Sequence, residues 1–420
     1  MSSERLPDGM PASPAEQADG PSELDSVPLL ELREPLPPVV DTRPALDDTL
    51  AALAAGTGPV AVDAERASGY RYSQRAYLVQ LRRAGSGTAL VDPTAFDGLA
   101  DLGAALADSE WILHAASQDL PCLLELGMRP RRLFDTELAG RLLDLPRVGL
   151  ASMVEELLGY RLRKEHSAVD WSTRPLPLPW LEYAALDVEA LVELRKVIGE
   201  RLAEEGKLGW AEQEFAALSV RPPSEPRPDP WRRTSGIHRV RGRRNLGVVR
   251  ALWQARDAIA SERDVTPGRV LSDAAIIEAA SSMPRTRKAL ASLASFRSRG
   301  AQRHVARFAD ALQTARELPE TELPLATARY TGPPPAKAWA DKDPAAAARL
   351  VAARAAVGAV ADEHRLPGEN LLAPDSVRRL CWSPPERVDT DSIAQVLRGL
   401  GAREWQVGLT AQPLADALAE

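Results

Sequence analysis

The stretch "VAVDAER", residues 60–66, is an apolar run that ends on two carboxylates, Asp63 and Glu65. Residues at i and i+2 of a strand point to one face, so these two side chains converge. Hard cations such as Mg²⁺ or Mn²⁺ take oxygen ligands, usually a few carboxylates completed by water and substrate phosphate. Two further acids suit such a centre. Asp119, in "ILHAASQDLPCLLEL", follows a strand-like run and heads an apolar helix. Asp187, in "WLEYAALDVEALVEL", lies inside a helical pattern with Tyr183 four residues earlier on the same face. Singly, each acid has an ordinary reading. Asp-x-Glu closes many strands, Asp119 suits a helix N-terminus, and an acid within a helix is usually solvated. Leu186, Val188, Ala190 and Leu191 crowd Asp187, which argues against solvation there.

The elements that must position these groups follow from periodicity. "PVAVDAE", "AYLVQLRR", "GTALVDP" and "WILHAA" read as four strands with short connections. Helical patterns follow in "SQDLPCLLELG", "LFDTELAGRLLD", "LASMVEELLGY" and one long run, "PWLEYAALDVEALVELRKVIGERLAEEG". Strands first and helices after predict a mixed α/β sheet with helices packed on it. Asp135 in "LFDTEL" reads as a helix N-cap, with Glu137 in the first turn.

The expected organisation is an acidic disordered tail at 1–38 and an α/β domain at 39–220. A Pro- and Arg-rich linker occupies 221–245, followed by a helical block at 246–318 with helices at 246–262, 272–281, 284–296 and 300–316. A Pro-rich linker spans 319–344, and a second helical block fills 345–420. "TPGRVLSD" and "LPGENLLAPD" share Pro-Gly-x-x-Leu, each after an Ala- and Arg-rich helix, and suggest a weak internal repeat. Residues 1–50 hold eleven acidic and three basic side chains, so the global charge of −7 reflects the tail, and the other 370 residues balance near neutral.

With 45% hydrophobic and 26% charged residues, the composition is that of an ordinary globular protein. Two distant cysteines, Cys122 and Cys381, form no zinc pattern or disulfide framework and fit a reducing compartment. No run approaches a membrane-spanning helix, and the N-terminus lacks signal-peptide character, so no membrane association and a cytoplasmic location are expected. No Walker A motif is present, which excludes a fused helicase as far as that motif reports.

The order Asp-x-Glu, then Asp, then Tyr-x-x-x-Asp resembles the signature of the DEDD exonucleases, and of the ribonuclease D family in particular. "YLVQL" (77–81), "LFDTELAGRLL" (133–143) and "DWSTRPLP" (170–177) are similar to family segments, and the helical blocks resemble HRDC domains. The resemblance covers residues 40–418. It implies a ribonuclease H-like mixed-sheet exonuclease domain followed by two all-α HRDC-like domains. It further implies that Asp63, Glu65, Asp119 and Asp187 hold two divalent ions, Mg²⁺ or Mn²⁺, about 3.5–4 Å apart. Tyr183 would then orient or help activate the attacking water. The implied partners are RNA 3′ ends, tRNA precursors among them, cut to 5′-mononucleotides, with no obligate protein partner evident. The first motif departs from the family's usual Asp-Thr-Glu-aromatic, reading Asp-Ala-Glu-Arg, and Arg66 could meet a phosphate or stand exposed.

A sister class carries His-x-x-x-x-Asp in its third motif. His114 stands five residues before Asp119, but in the second motif, and position 182 is Glu, so His114 reads as a structural residue beside the site and as a candidate nucleic-acid contact. Lys164 and Arg174 are candidate phosphate contacts. So are the arginines of "WRRTSGIHRVRGRRNLGVVR" (231–250), which has seven arginines and no acid: Arg232, Arg233, Arg239, Arg241, Arg243 and Arg244. Trp171, Trp253 and Trp382 read as structural. Two rival readings stay open: a DNA 3′–5′ exonuclease using the same carboxylates, and a catalytically silent RNA-binding scaffold.

Overall fold

The computed structural model describes residues 27–163, 166, 168–222, 227–327 and 332–419. Six strands form one sheet: β1 (Val39–Val40), β2 (Thr57–Arg66), β3 (Ala76–Ala84), β4 (Gly87–Val91), β5 (Glu110–Leu113) and β6 (Arg132–Asp135). Their order is β1-β4-β3-β2-β5-β6. β2–β3 and β3–β4 are antiparallel, whereas β1–β4, β2–β5 and β5–β6 are parallel, so the sheet is mixed as expected. β1 and β6 are additions to the four expected strands. "RLFD" pairs with β5 from Glu110↔Arg132 to Leu113↔Asp135 and is not the start of the following helix.

The helices of this domain are α1 (Arg43–Ala55), α2 (Ala100–Ala105), α3 (Leu120–Glu125), α4 (Thr136–Leu142), α5 (Leu150–Leu158), α6 (Leu178–Glu189), α7 (Leu191–Glu204) and α8 (Leu208–Ser219). The long helix expected at the end of the domain is divided into α6, α7 and α8. α6 crosses one face of the sheet, burying Leu181, Ala184 and Ala185 against Leu78 and Leu90. Residues 27–38, expected within the disordered tail, are packed. Leu30 is buried, its amide donates to the Arg161 carbonyl at 3.0 Å, and Arg33 pairs with Glu189 and Glu193. Residues 1–26 lie outside the described residues.

The first helical unit comprises α9 (Arg243–Arg263), α10 (Pro267–Val270), α11 (Asp273–Ser282), α12 (Arg287–Ser292), α13 (Arg299–Arg303) and α14 (Val305–Glu317). It has its own core, to which Trp231 and Val240 belong, so the expected linker is folded into it from Trp231 onward, while residues 223–226 lie outside the described residues. The unit docks on the β2–β3 loop through polar contacts. Asp264 accepts from the amides of Tyr72 (3.1 Å) and Ser73 (2.8 Å), the Tyr72 hydroxyl donates to Asp257 (3.1 Å), and the Arg269 guanidinium lies 4.8 Å from the Tyr70 ring centre.

The second unit comprises α15 (Trp339–Lys342), α16 (Pro344–Glu363), α17 (Gly368–Leu371), α18 (Pro374–Trp382), α19 (Thr390–Gly399) and α20 (Glu404–Ala419). Its apolar core runs continuously into that of the α/β domain. Trp405 stacks on Trp210 of α8 at 5.0 Å, and the buried Lys207 ammonium donates to the carbonyls of Leu142 and Arg365. The repeat seen in sequence has a structural counterpart. Asp264 and Arg365 both take positive φ (45° and 50°), and each precedes a single helical turn, α10 or α17, and then a longer helix. One correction concerns α16, which by length and composition could cross a membrane. Leu350, Ala353, Val357 and Val360 bury one side of it in this unit.

Candidate active site

At the C-terminal end of β2, the antiparallel register sets Asp63 opposite Gln80 and Glu65 opposite Leu78, and both acids face the layer covered by α6. Asp187 descends from α6 onto the same spot. Ligand oxygens of Asp63, Glu65 and Asp187 lie within 4.8 Å of one another. These three and Asp119, Tyr183 and His114 line one cavity of about 400 Å³, closed on its apolar side by Leu150, Leu162 and Leu191. Ala64 contributes its backbone, whose amide donates to the Asp63 carboxylate.

Packing like charges in a poorly hydrated space favours protonated acids. Burial, then the charges of Asp63, Asp187 and Asp119, push the Glu65 carboxyl up to about 10. Asp187 and Asp119 are raised well above the usual carboxylate range by burial and by Asp63, and burial raises Asp63 itself. A cavity walled by four such acids suits a divalent cation, whose charge reverses this balance. The donor set is all oxygen, as Mg²⁺ or Mn²⁺ prefers.

Asp119 stands apart from the close trio. Its carboxylate lies 3.4 Å from the Arg66 guanidinium, and it makes no capping bond to α3. The residue that departs from the expected first motif therefore supplies a counter-charge to the second. Tyr183 hydrogen-bonds to Asp187, and its phenol is raised by burial and by the neighbouring Asp187 and Glu65 charges. At neutral pH it is a donor and not a base.

His114 precedes a sharp turn in which Ala115 takes φ 57°. Asp135 holds that turn: its carboxylate caps α4 at the amides of Glu137 (3.0 Å) and Leu138 (3.2 Å) and also accepts from Ala115 (3.1 Å) and Ala116 (2.9 Å). The capping role is visible in "LFDTEL"; the strut beneath the second motif is not, because its partners are backbone amides about 20 residues away. The Thr136 hydroxyl donates to the Leu113 carbonyl, so the His114 Nδ1, 2.9 Å from that hydroxyl oxygen, is the donor between them. Burial lowers the imidazole to about 4, which leaves it neutral and removes it as a cationic phosphate contact.

Several other expected phosphate contacts need correction. Arg174 directs all five guanidinium N–H groups inward, to both oxygens of Asp92 and to the carbonyls of Tyr77, Trp171 and Thr173. Replacing it removes the counter-charge of a buried carboxylate, which keeps only the two bonds from Thr94. Arg174→Ala should therefore cost about 2–4 kcal/mol in denaturant unfolding, with RNA affinity at a permissive temperature unchanged. A large affinity loss without destabilisation would contradict this.

Arg232, Arg243 and Arg244 are likewise committed. They donate to carbonyls of residues 316–325 and to Asp229 and Glu320, stapling the chain after α14 onto the unit. Arg233, Arg239 and Arg241 are exposed, and their side chains have no hydrogen-bond or ion-pair partner among the described residues. Lys164 lies outside the described residues, while its neighbour Arg163, which sequence reasoning passed over, lines the cavity. Trp171 is fully buried under α6 and is structural.

The comparisons with known proteins agree with this arrangement. Residues 37–203 match the 3′-5′ exonuclease family model, residues 245–312 the HRDC domain, and residues 332–418 the 3′ to 5′ exonuclease C-terminal domain. The first helical unit thus carries the HRDC match, and the second matches a model of its own. A ribonuclease D from Gluconacetobacter diazotrophicus is 34% identical over 340 residues, covering 77% of this chain and 81% of that protein. The crystal structure of a protein from Bifidobacterium adolescentis superposes with a TM-score of 0.86 at 39% identity, covering 94% of this chain and 100% of the other. That of Escherichia coli RNase D, described as an exoribonuclease involved in structured RNA processing, gives a TM-score of 0.67 at 26% identity, covering 91% and 98%. With the exonuclease fold, the acidic cavity and these relatives in agreement, the chain belongs to the ribonuclease D family and is a 3′–5′ exoribonuclease.

Proposed function

We propose that this enzyme removes nucleotides from the 3′ ends of structured RNA, tRNA precursors among them, by hydrolysis at a two-cation centre held by Asp63, Glu65, Asp119 and Asp187. The observation that carries the reading is the convergence of three carboxylates within 4.8 Å, in a cavity that Asp119 and Tyr183 also line. Divalent ions bound there would neutralise the scissile phosphate and favour ionisation of the attacking water, releasing 5′-mononucleotides.

The protein's own contribution is positional. Asp63 and Glu65 are fixed by the β2–β3 ladder, and Asp187 by α6 packed across it. Tyr183, protonated and tied to Asp187, presents a phenol that orients water or phosphate. Arg66 steadies Asp119 until a cation competes for that carboxylate. The apolar wall of Leu150, Leu162 and Leu191 limits water around the reacting phosphate. The first helical unit docks on the loop that follows β2, which places an accessory surface beside the catalytic end of that strand. Arg233, Arg239 and Arg241 are its candidates for backbone contact.

Replacing those three arginines together by alanine should lower the slope of log K against log salt for RNA binding by about 2–3, through fewer released counterions. An unchanged slope would remove them from the interface. The function itself is tested with 3′-labelled RNA and DNA of one sequence, plus Mg²⁺ or Mn²⁺. Stepwise shortening of RNA to 5′-mononucleotides, with DNA cut far more slowly, is expected. Preferential digestion of DNA would favour the rival nuclease reading, and binding of both without cleavage the scaffold.

A further inference from the structure

Gln80 lies at the middle of β3 and is fully buried, yet neither its amide nitrogen nor its amide oxygen has a hydrogen-bond partner. A buried primary amide with both ends unpaired is costly and is rare in native proteins. Its surroundings narrow what it serves. In the ladder it stands directly opposite Asp63 on one side and Leu90 on the other. Along its own strand the same face carries Leu78 and Arg82. Leu78 and Leu90 are apolar and packed under α6. Arg82 offers only donors, two of them turned to Glu189 at 2.9 Å and Thr88 at 2.8 Å. Of these four neighbours, Asp63 alone can accept a hydrogen bond from the amide. Directly opposed residues have Cβ atoms about 4.5–5.5 Å apart, within the span of a Gln side chain reaching a carboxylate.

We propose that Gln80 is a positioning residue of the carboxylate centre, its amide nitrogen donating to the Asp63 oxygen that faces away from a bound divalent cation. This rests on the reading of the centre as a divalent-cation site. A ligating carboxylate is normally held by a further hydrogen bond that fixes its orientation, and loss of that partner typically weakens metal affinity about 10–100-fold. The Ala64 backbone amide already donates to the Asp63 carboxylate, and Gln80 would add a side-chain donor from the facing strand. The amide also explains a polar residue within "YLVQL": a solvated side chain is excluded by complete burial, and an apolar one would serve the core equally well.

The test uses the full chain with Gln80→Met, an apolar side chain of similar length, in two measurements. Thermal melting in EDTA is expected at or above the wild-type temperature, since the substitution removes an unpaired amide from an apolar layer. Calorimetric titration with Mn²⁺ is expected to show affinity at least about 10-fold weaker, and high Mn²⁺ to restore most of the turnover on RNA. Unchanged Mn²⁺ affinity in a normally folded variant would overturn the assignment. So would a clearly lower melting temperature in EDTA, which would give the amide a structural partner in the metal-free fold. Wild-type protein that binds no Mn²⁺ would instead sink the cation-site reading beneath it, a result distinct from either.

Discussion

Asp63→Ala should reduce turnover on RNA by at least about 10³-fold, while the metal-free protein melts no lower than wild type. Asp63 is the hub of the site. It shares the 4.8 Å cluster with Glu65 and Asp187, and its charge contributes to the raised protonation of Glu65, Asp119 and Asp187 alike. Removing it would delete one of the proposed cation ligands and relieve repulsion among the acids that remain. The strand does not depend on it, because Val60, Ala61 and Val62 are fully buried and hold β2 in the sheet. Loss of activity without loss of stability is the pattern expected where function keeps a strained cluster in place. A variant retaining a tenth of wild-type turnover would show that the cluster is not the catalytic centre. One that is inactive because it has unfolded would show that Asp63 is structural.

The second large effect is a linkage between pH, metal and stability. In the metal-free fold Glu65 titrates near 10, against about 4.3 in an unfolded chain. Between those values the folded state binds the extra proton, so stability must fall as pH rises. The contribution is fully present below the unfolded pKa and is lost progressively through the folded one, at up to about 1.4 kcal/mol per pH unit for each proton retained. Asp63, Asp119 and Asp187 shift in the same direction. Melting temperature in EDTA should therefore decline from pH 6 to pH 9. Saturating Mg²⁺ or Mn²⁺ displaces those protons and should flatten the decline, with a stabilisation that grows with pH. Metal-free stability that rises over this range would contradict the crowded-carboxylate account.

Much of this was legible in residue types and spacing. Asp63 and Glu65 share one strand face and Tyr183 and Asp187 one helix face, which backbone geometry alone predicts, whereas Asp119 joins them from the segment after β5. What escaped the sequence depended on long-range partners. "RLFD" joins an apolar pattern that runs on into α4, and only its pairing with β5 makes it a strand. Arg174 reads as a phosphate contact because Asp92, which captures it, lies 82 residues away. The arginine-rich stretch reads as a polyanion surface, yet Arg243 and Arg244 face backbone carbonyls, a partner that residue identities do not display. Residues 27–38 read as tail because their composition is polar and Pro-rich, whereas Leu30 and the Arg33 ion pairs anchor them. Gln80 is the opposite case: a polar letter in a strand suggests solvent, and its burial opposite Asp63 appears only once the register is known.

The central claim is that four carboxylates on one strand end, a loop and a helix hold paired divalent ions. Crystals soaked with Mn²⁺ and a short oligoribonucleotide, recorded at the manganese edge, test it most directly. The account predicts two anomalous peaks about 3.5–4 Å apart, bounded by Asp63, Glu65, Asp119 and Asp187, with the RNA 3′ end against them. A single peak, or peaks away from these carboxylates, would contradict it.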